Sequence, residues 1–318
     1  MDTKTSNKSL NLVLASPRGF CAGVDRAITI VEKALKMYGP PIYVQHEIVH
    51  NKHVVQRLQN NGVVFVENID EIPKGSHVIY SAHGVSPDVR KRAENRKLQI
   101  LDATCPLVTK VHGEAKRYAK KGYTIILIGH YNHVEVQGTV GEAPERIMVV
   151  GSTEDVDSLN VPNENKIAYI TQTTLSMDDT AEIINALRKK YPKIQGPSKE
   201  DICYATQNRQ NAVKALCKEV DLVLVVGAQN SSNSLRLLEV AKSTGVRARR
   251  IESSAELKAE WLDGVSEVGI TAGASAPEDV VQGIVDELRV MSPISSVRSL
   301  EIVRENVTFA LPLVLRNA

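Results

Sequence analysis

The sequence predicts an α/β protein of three units with mainly parallel sheets, and three observations carry that prediction. Short β-branched runs alternate with amphipathic, helix-like segments along the chain, the pattern of parallel strands covered by helices. The same order of elements recurs three times while residue identity largely does not, which marks a structural repeat. Each recurrence opens on a cysteine that follows a short run and precedes a helical segment: Cys21, Cys105 and Cys203. At roughly 100 residues per repeat, each third can hold its own small core. One large doubly wound domain with incidental regularity is the alternative.

The elements read in order as follows. MDTKTSNKSL is polar and lacks the apolar core of a signal peptide, so residues 1–10 read as a disordered extension. The first unit, 11–104, opens on the strand 11–16, which has the option of pairing with the third unit. After Cys21 come a helix (AGVDRAITIVEKALKMYG), a strand (PPIYVQ), a polar loop (HEIVHNKHV) and a strand (GVVFVE). An acidic capping stretch (NIDEIP) and a strand, turn and helix (HVIYSAHGVSPDVRKRA) close it. The second unit, 105–200, repeats this with PLVTKVHGEAKRYAKKG, YTIILIG, the loop HYNHVEVQGTVG, RIMVVGS, TEDVDSL and IAYITQTTLSMDDTAEIINALRKKY. The third, 201–290, follows the short EDI with YATQNRQNAVKALCKEV, DLVLVVG, the loop AQNSSNSLRL, RARRIES, SSAELKAEW and VGITAGASAPEDVVQGIVDEL. Residues 291–318 read as a C-terminal arm, its end a final strand or arm docked on the body.

Composition narrows the class. No apolar run approaches the roughly 20 residues of a transmembrane helix. A net charge of +2 without a basic run or interleaved aromatics gives nucleic-acid binding no support. Four cysteines in 318 residues are too few for a secreted disulfide framework, so the expected location is cytoplasmic.

The polar turns all follow carboxyl ends of strands, where open α/β sheets bind ligands. A thiolate at a helix N-terminus has a lowered pKa and is a better metal ligand or nucleophile. None of the three cysteines has a CxxC partner, which disfavours a zinc ribbon. Three thiolates from separate loops suit a four-iron cluster with one iron open to substrate. Cys217, on the apolar face of the helix NAVKALCKEV, reads as structural.

Five of the eight histidines, His46, His50, His83, His130 and His133, lie in polar turns of the first two repeats. The matching turns of the third carry Asn230 to Asn233 and Gly273 to Pro277. Neutral donors beside helix N-termini suit an anion such as phosphate, while Ser231, Ser275 and Thr174 are equally able to cap helices. Glu135, two residues after His133, reads either as a surface carboxylate or as a proton donor. Thr171 to Thr174 end a strand of the same unit. Dinucleotide, Walker and GxSxG motifs are absent, so nucleotide and serine-hydrolase chemistry lack support.

Together PRGFCAGVDRAI, HEIVHN, SAHGVS, DATCPLVTKVH, ILIGHYNHVEVQGT, TQTTLS, DICYATQNRQ, VVGAQNSSNS and TAGASAP resemble the LytB family of 4-hydroxy-3-methylbut-2-enyl diphosphate reductases, in family order from about residue 11 to residue 290. Val134 stands where the family pattern has proline, and Gln137 where glutamate is common. The resemblance implies a pseudo-threefold trefoil of α/β units around a central [4Fe–4S] cluster. It gives Cys21, Cys105 and Cys203 as ligands, with an apical iron free of protein. It places the substrate diphosphate on His50, His83, His133, Ser231, Ser232, Asn233 and Ser275. Glu135 would supply protons, directly or through Thr173; His46 and His130 receive no role. The implied reaction is loss of an allylic hydroxyl to give isopentenyl and dimethylallyl diphosphate, the last step of the non-mevalonate isoprenoid route. Without flavin or nicotinamide motifs, electrons would come from a ferredoxin- or flavodoxin-like partner.

Two other readings fit parts of the pattern. Quinolinate synthase, a lyase, also sets three cysteines from three pseudo-repeats around a cluster, but the His133-Val134-Glu135 loop and the turn at Asn230 favour the reductase. A structural zinc site would need a fourth ligand, which the third repeat does not offer.

Overall fold

One strand order is repeated in three parallel sheets. In the computed structural model, which describes residues 9–316, β1 (Leu10–Ser16) leads towards α1 (Ala22–Tyr38). The first repeat continues with β2 (Ile42–Gln45), α2 (Lys52–Asn60), β3 (Val63–Val66), β4 (His77–Tyr80), α3 (Pro87–Asn95) and β5 (Gln99–Asp102). The second comprises α4 (Pro106–Lys120), β6 (Thr124–Ile128), α5 (Val134–Val140), β7 (Ile147–Val150), α6 (Thr153–Ser158), β8 (Ile167–Thr171) and α7 (Met177–Lys190). The third comprises α8 (Tyr204–Leu216), β9 (Leu222–Val226), α9 (Ser232–Ser243), β10 (Arg247–Ile251), β11 (Glu267–Ala272), α10 (Glu278–Met291) and β12 (Ile294–Glu301).

The sheets run β3-β2-β4-β5, β7-β6-β8 and β10-β9-β11-β1-β12. In each, the first strand of the repeat lies between the second and the third, and all these pairings are parallel. The strand before a cysteine extends the sheet next to a third strand: β5, ahead of Cys105, pairs with β4, and β1, ahead of Cys21, pairs with β11. Before Cys203 the match shrinks to a single bridge, Gln195 to Ala168 of β8. The EDI segment is no strand because buried Asp201 turns its carboxylate onto the Thr171 N–H and the Lys110 ammonium.

Helices cover both faces of these sheets, as parallel strands require. In the five-stranded sheet, Leu12, Leu224 and Ile270 pack with Ile284 and Leu288 of α10. On the other face Val13, Val223 and Val225 meet Val213 of α8 and Leu237 of α9. The three-stranded sheet repeats this, with Ile126 and Tyr169 against Leu187 of α7 and Ile125 and Ile170 against Ala115 of α4. Helix α1 buries Ala27, Ile30, Val31 and Ala34, a stripe at helical spacing.

By packing, the chain gathers into two compact units: residues 9–21 with Tyr204–Asn306, and Ala22–Cys203 with residues 307–316. The first holds the five-stranded sheet; the second holds the other two. Two stretches differ from the sequence expectation. Residues 1–8 of the expected extension lie outside the described residues, but Leu10 is buried and begins β1, since its side chain completes the face packed on α10. Of the expected C-terminal arm, Ile294–Glu301 is the edge strand β12, paired with β1 along its length. Among the described residues no helix is long and apolar enough to cross a membrane.

Candidate active site

Each of the three cysteines is pinned through its backbone to the turn after a third strand. The Cys105 N–H donates to the Ala82 carbonyl (3.0 Å), that of Cys203 to Thr173 (3.0 Å) and that of Cys21 to Ala274 (3.3 Å). Those acceptors are the second residues beyond β4, β8 and β11, so the cysteines occupy equivalent places directly before α4, α8 and α1. None of the four cysteines is in a disulfide, and these three are partly exposed. Cys217 differs. It is buried against Val13 and Val223, and burial pushes its thiol up from the ordinary value. It lies one residue past α8, not in mid-helix, because the last turn tightens with a Lys218 N–H to Ala215 bond (3.1 Å). Among the described residues no three His, Cys, Asp or Glu side chains gather as ligands of one metal ion. A four-iron cluster asks for something else, one thiolate on each ligated iron, and the donor chemistry of three non-disulfide thiols at helix starts fits that group.

Three histidine rings stand together in the larger unit. His50 stacks on His83 with centroids 4.2 Å apart, and His133 meets them edge-on at 5.4 and 5.9 Å. They come from the turn before α2, the turn after β4, and the N-cap of α5. The last was expected to be loop throughout. Instead His133 Nδ1 accepts the Glu135 N–H (3.1 Å), and the Thr139 hydroxyl closes on the Glu135 carbonyl, so 134–140 wind into a short helix. A ring nitrogen that accepts leaves Nε2 of neutral His133 carrying the proton, available to an anion. Burial, then the neighbouring histidines, hold His83 well below the ordinary value and take His133 down to about 3. His46 and His130 are placed otherwise: His46 Nδ1 lies 2.7 Å from Glu67, and the His130 N–H donates to Gln172.

Glu135, in the first turn of α5, is only 3% exposed. Both of its oxygens are taken by one residue: the Thr173 N–H donates to Oε1 (2.7 Å) and the Thr173 hydroxyl lies 2.9 Å from Oε2. Burial raises the carboxyl to about 7 against the opposing pull of these two bonds. A carboxyl near 7 gives and takes protons at neutral pH. Gln172 was not singled out from the sequence. Its Oε1 accepts the His130 N–H and its Nε2 donates to Thr174, so it ties this turn to the one after β6.

The smaller unit gathers hydroxyls and an amide. Ser231 caps α9, accepting the Ser234 N–H, and lies 3.4 Å from the Ser275 hydroxyl. Asn233 accepts the Ala274 N–H (2.9 Å) and donates to Thr206 (3.2 Å). Ser231, Ser232, Asn233 and Ser275 are all buried. Capping explains Ser231 but neither Ser275 nor Thr174, since the N-cap positions of the helices after them belong to Pro277, which makes no side-chain cap bond, and to Ser176. The close approach of α9 depends on glycine at both neighbouring strand ends: a Cβ on Gly227 or Gly273 would fall 2.0 or 2.1 Å from the Ser234 hydroxyl.

Repeated parallel sheets, cysteines at three equivalent helix starts, anion-seeking turns and a buried acid poised near neutrality define an α/β enzyme that handles a small anionic substrate. The LytB protein family model matches residues 12–289, and the chain belongs to that family. Two similar relatives are named 4-hydroxy-3-methylbut-2-enyl diphosphate reductase. That of Acidithiobacillus ferrooxidans is 54% identical over 310 residues, covering 97% of this chain and 98% of its own. Reductase 1 of Mycobacterium bovis is 52% identical over 312 residues, covering 96% and 91%. Among solved structures, the E-1-hydroxy-2-methyl-but-2-enyl-4-diphosphate reductase of Plasmodium falciparum superposes with a TM-score of 0.93 at 44% identity, covering 98% of each chain. A second, described as the terminal enzyme of the non-mevalonate pathway, gives 0.64 at 33% identity, covering 88% of this chain and 99% of its own.

Proposed function

We propose that this chain reduces 4-hydroxy-3-methylbut-2-enyl diphosphate to isopentenyl and dimethylallyl diphosphate, the last step of the non-mevalonate route. The reaction adds two electrons and two protons, breaks the allylic C–O bond, forms one C–H bond and releases water. One observation carries the reading: a buried carboxyl at about 7, held at both oxygens by Thr173, on the short helix that His133 caps.

Cys21, Cys105 and Cys203 would hold a [4Fe–4S] cluster, which when bound supplies the electrons and a Lewis-acidic iron. The chain's own residues do the rest. His50, His83 and His133 take the diphosphate together with Ser231, Ser232, Asn233 and Ser275, so no lysine or arginine is needed there. Glu135 holds a proton that the Thr173 hydroxyl passes towards the departing oxygen, turning hydroxide into water. A ferredoxin- or flavodoxin-like protein would deliver electrons one at a time.

The test is anaerobic turnover of the allylic diphosphate with reduced viologen by cluster-loaded protein, with Glu135→Gln beside it. Formation of both isoprenoid diphosphates, largely lost in the variant, is the expected result. No turnover by protein with a full cluster overturns the reading.

A further inference from the structure

Three basic side chains make the same reach in three different repeats. Arg26 lies five residues after Cys21, Lys110 five after Cys105, and Arg209 six after Cys203, each just past the first turn of the helix that follows. Each donates to backbone carbonyls ahead of the next cysteine in the series. Arg26 Nη1 and Nη2 reach the carbonyls of Thr104 (3.1 Å) and Asp102 (3.4 Å), ahead of Cys105. Lys110 Nζ reaches the carbonyls of Lys199 and Glu200 and the carboxylate of Asp201 (2.8 Å), ahead of Cys203. Arg209 reaches the Gly19 carbonyl through Nε (3.1 Å) and Nη2 (2.8 Å), and that of Phe20 (3.3 Å), ahead of Cys21.

Helix physics does not ask for a cation there, since the N-terminal end of a helix favours negative charge. What these positions share is the set of carbonyls they meet. The residues leading into these helices lie past the strand or, like Asp102, at its very end, where carbonyls need other donors. A multidentate cation meets several at once and fixes the turn. Counter-charge is present where burial demands it: Asp201 faces Lys110, and Glu305 lies 3.0 Å from Arg209, whose side chain is 1% exposed.

We propose that Arg26, Lys110 and Arg209 are equivalent positioning residues, each fixing the backbone that presents the next cysteine in the order first to second, second to third, third to first. The proposal rests on the reading that these cysteines hold the cluster. It makes the cysteine geometry a property of the protein before iron arrives.

The experiment measures amide hydrogen exchange and cluster loss to a chelator in cluster-loaded protein. Lys110→Met and Arg26→Met are the variants of choice, because both side chains are partly exposed, whereas Arg209 is fully buried and its loss would leave a void in the core. Lys110→Met should speed exchange at 199–203 by about tenfold, the loss of roughly one charge-assisted bond, and leave 102–105 alone. Arg26→Met should do the reverse. Cluster loss should quicken by a similar factor in both, but not in Leu187→Ala, a core variant of the same unit. Exchange that rises evenly over the unit, or not at all, overturns the proposal, as does cluster loss in Leu187→Ala as fast as in the latch variants at equal loss of Tm. If wild-type protein takes up no four-iron cluster, or a Cys105→Ala variant keeps it, the functional reading fails instead, and the crossed exchange pattern still decides the latches.

Discussion

The turns of the larger unit and those of the smaller one both gather neutral polar groups, but of different chemistry. In the larger, the His83 and His133 rings and the Glu135 carboxyl are all held away from their ordinary values. In the smaller, Ser231, Ser232, Asn233 and Ser275 offer fixed dipoles that do not titrate. The contrast separates proton handling from charge-independent recognition. Under the proposed function it would let a site without lysine or arginine be tuned by pH.

Glu135→Gln tests the contrast at its strongest point. Glutamine can keep both bonds to Thr173, so turnover should fall about 10²- to 10⁴-fold with the fold intact by circular dichroism. Ser275→Ala should instead weaken substrate affinity about three- to tenfold, the worth of a hydrogen bond, by the same factor at every pH.

The pH profile sharpens the contrast further. His83 and His133 sit below their ordinary values, so a diphosphate bound on them, as proposed, would raise them and draw in protons. Affinity should therefore strengthen as pH falls, by at most about tenfold per pH unit for each proton taken up. The depressed values set the lower end of that pH window below the ordinary histidine value. His83→Gln should flatten the slope, and a KM constant from about pH 6 to 9 in the wild type would show that the histidines stay neutral throughout.

Stability gives a smaller effect of opposite sign in the two kinds of group. The Glu135 carboxyl rises to about 7 on folding, so its favourable share is full below the unfolded value near 4.3 and is lost as pH climbs through 7. Glu135→Gln should thus melt higher at pH 8, by on the order of 1–3 kcal/mol, with no gain at pH 4. His133 falls to about 3, so its share is full above about 6.5 and is lost as pH drops. In the Glu135→Gln background, acid unfolding should cost roughly 1–2 kcal/mol per buried histidine by pH 5, and His83→Gln should remove part of it. Calorimetry at three pH values reads both limbs.

The smallest change tests the helix on which the larger unit's chemistry rides. Val134 is the first residue of α5, where proline is pre-organised and no hydrogen bond is lost. Val134→Pro should raise stability by about 0.4–1 kcal/mol and leave kcat within a factor of about two. A lower Tm would mean that the turn at His133 needs the valine N–H.

Much of this was legible in the residues. Order and spacing announced the three sheets, because strands buried on both faces must be short and β-branched. The cysteines and Glu135 stood out because their neighbours were polar turns. Other parts left no signal. Val134, Val136 and Gly138 read against a helix, and α5 forms through the ring of His133 and the hydroxyl of Thr139. The short EDI segment ahead of Cys203 gave no sign that Asp201 would turn onto Lys110 and the Thr171 N–H. Arg26, Lys110 and Arg209 were hidden inside recognised motifs, since a backbone carbonyl has no sequence identity to pair with.

Strand β1 has a consequence for how the protein is made. It lies between β11 and β12, in register with β12 from Asn11 with Ser296 to Ser16 with Glu301 after a shift at Leu10, and the arginine gripping Gly19 is neutralised by Glu305. Contacts so distant in sequence form late. On the ribosome, the segment leading to Cys21 must wait, unpaired, until nearly the whole chain has emerged. Under the proposed function, loading of iron and sulfur onto that first cysteine would therefore follow translation, with the chain meanwhile exposed to whatever chaperones attend it.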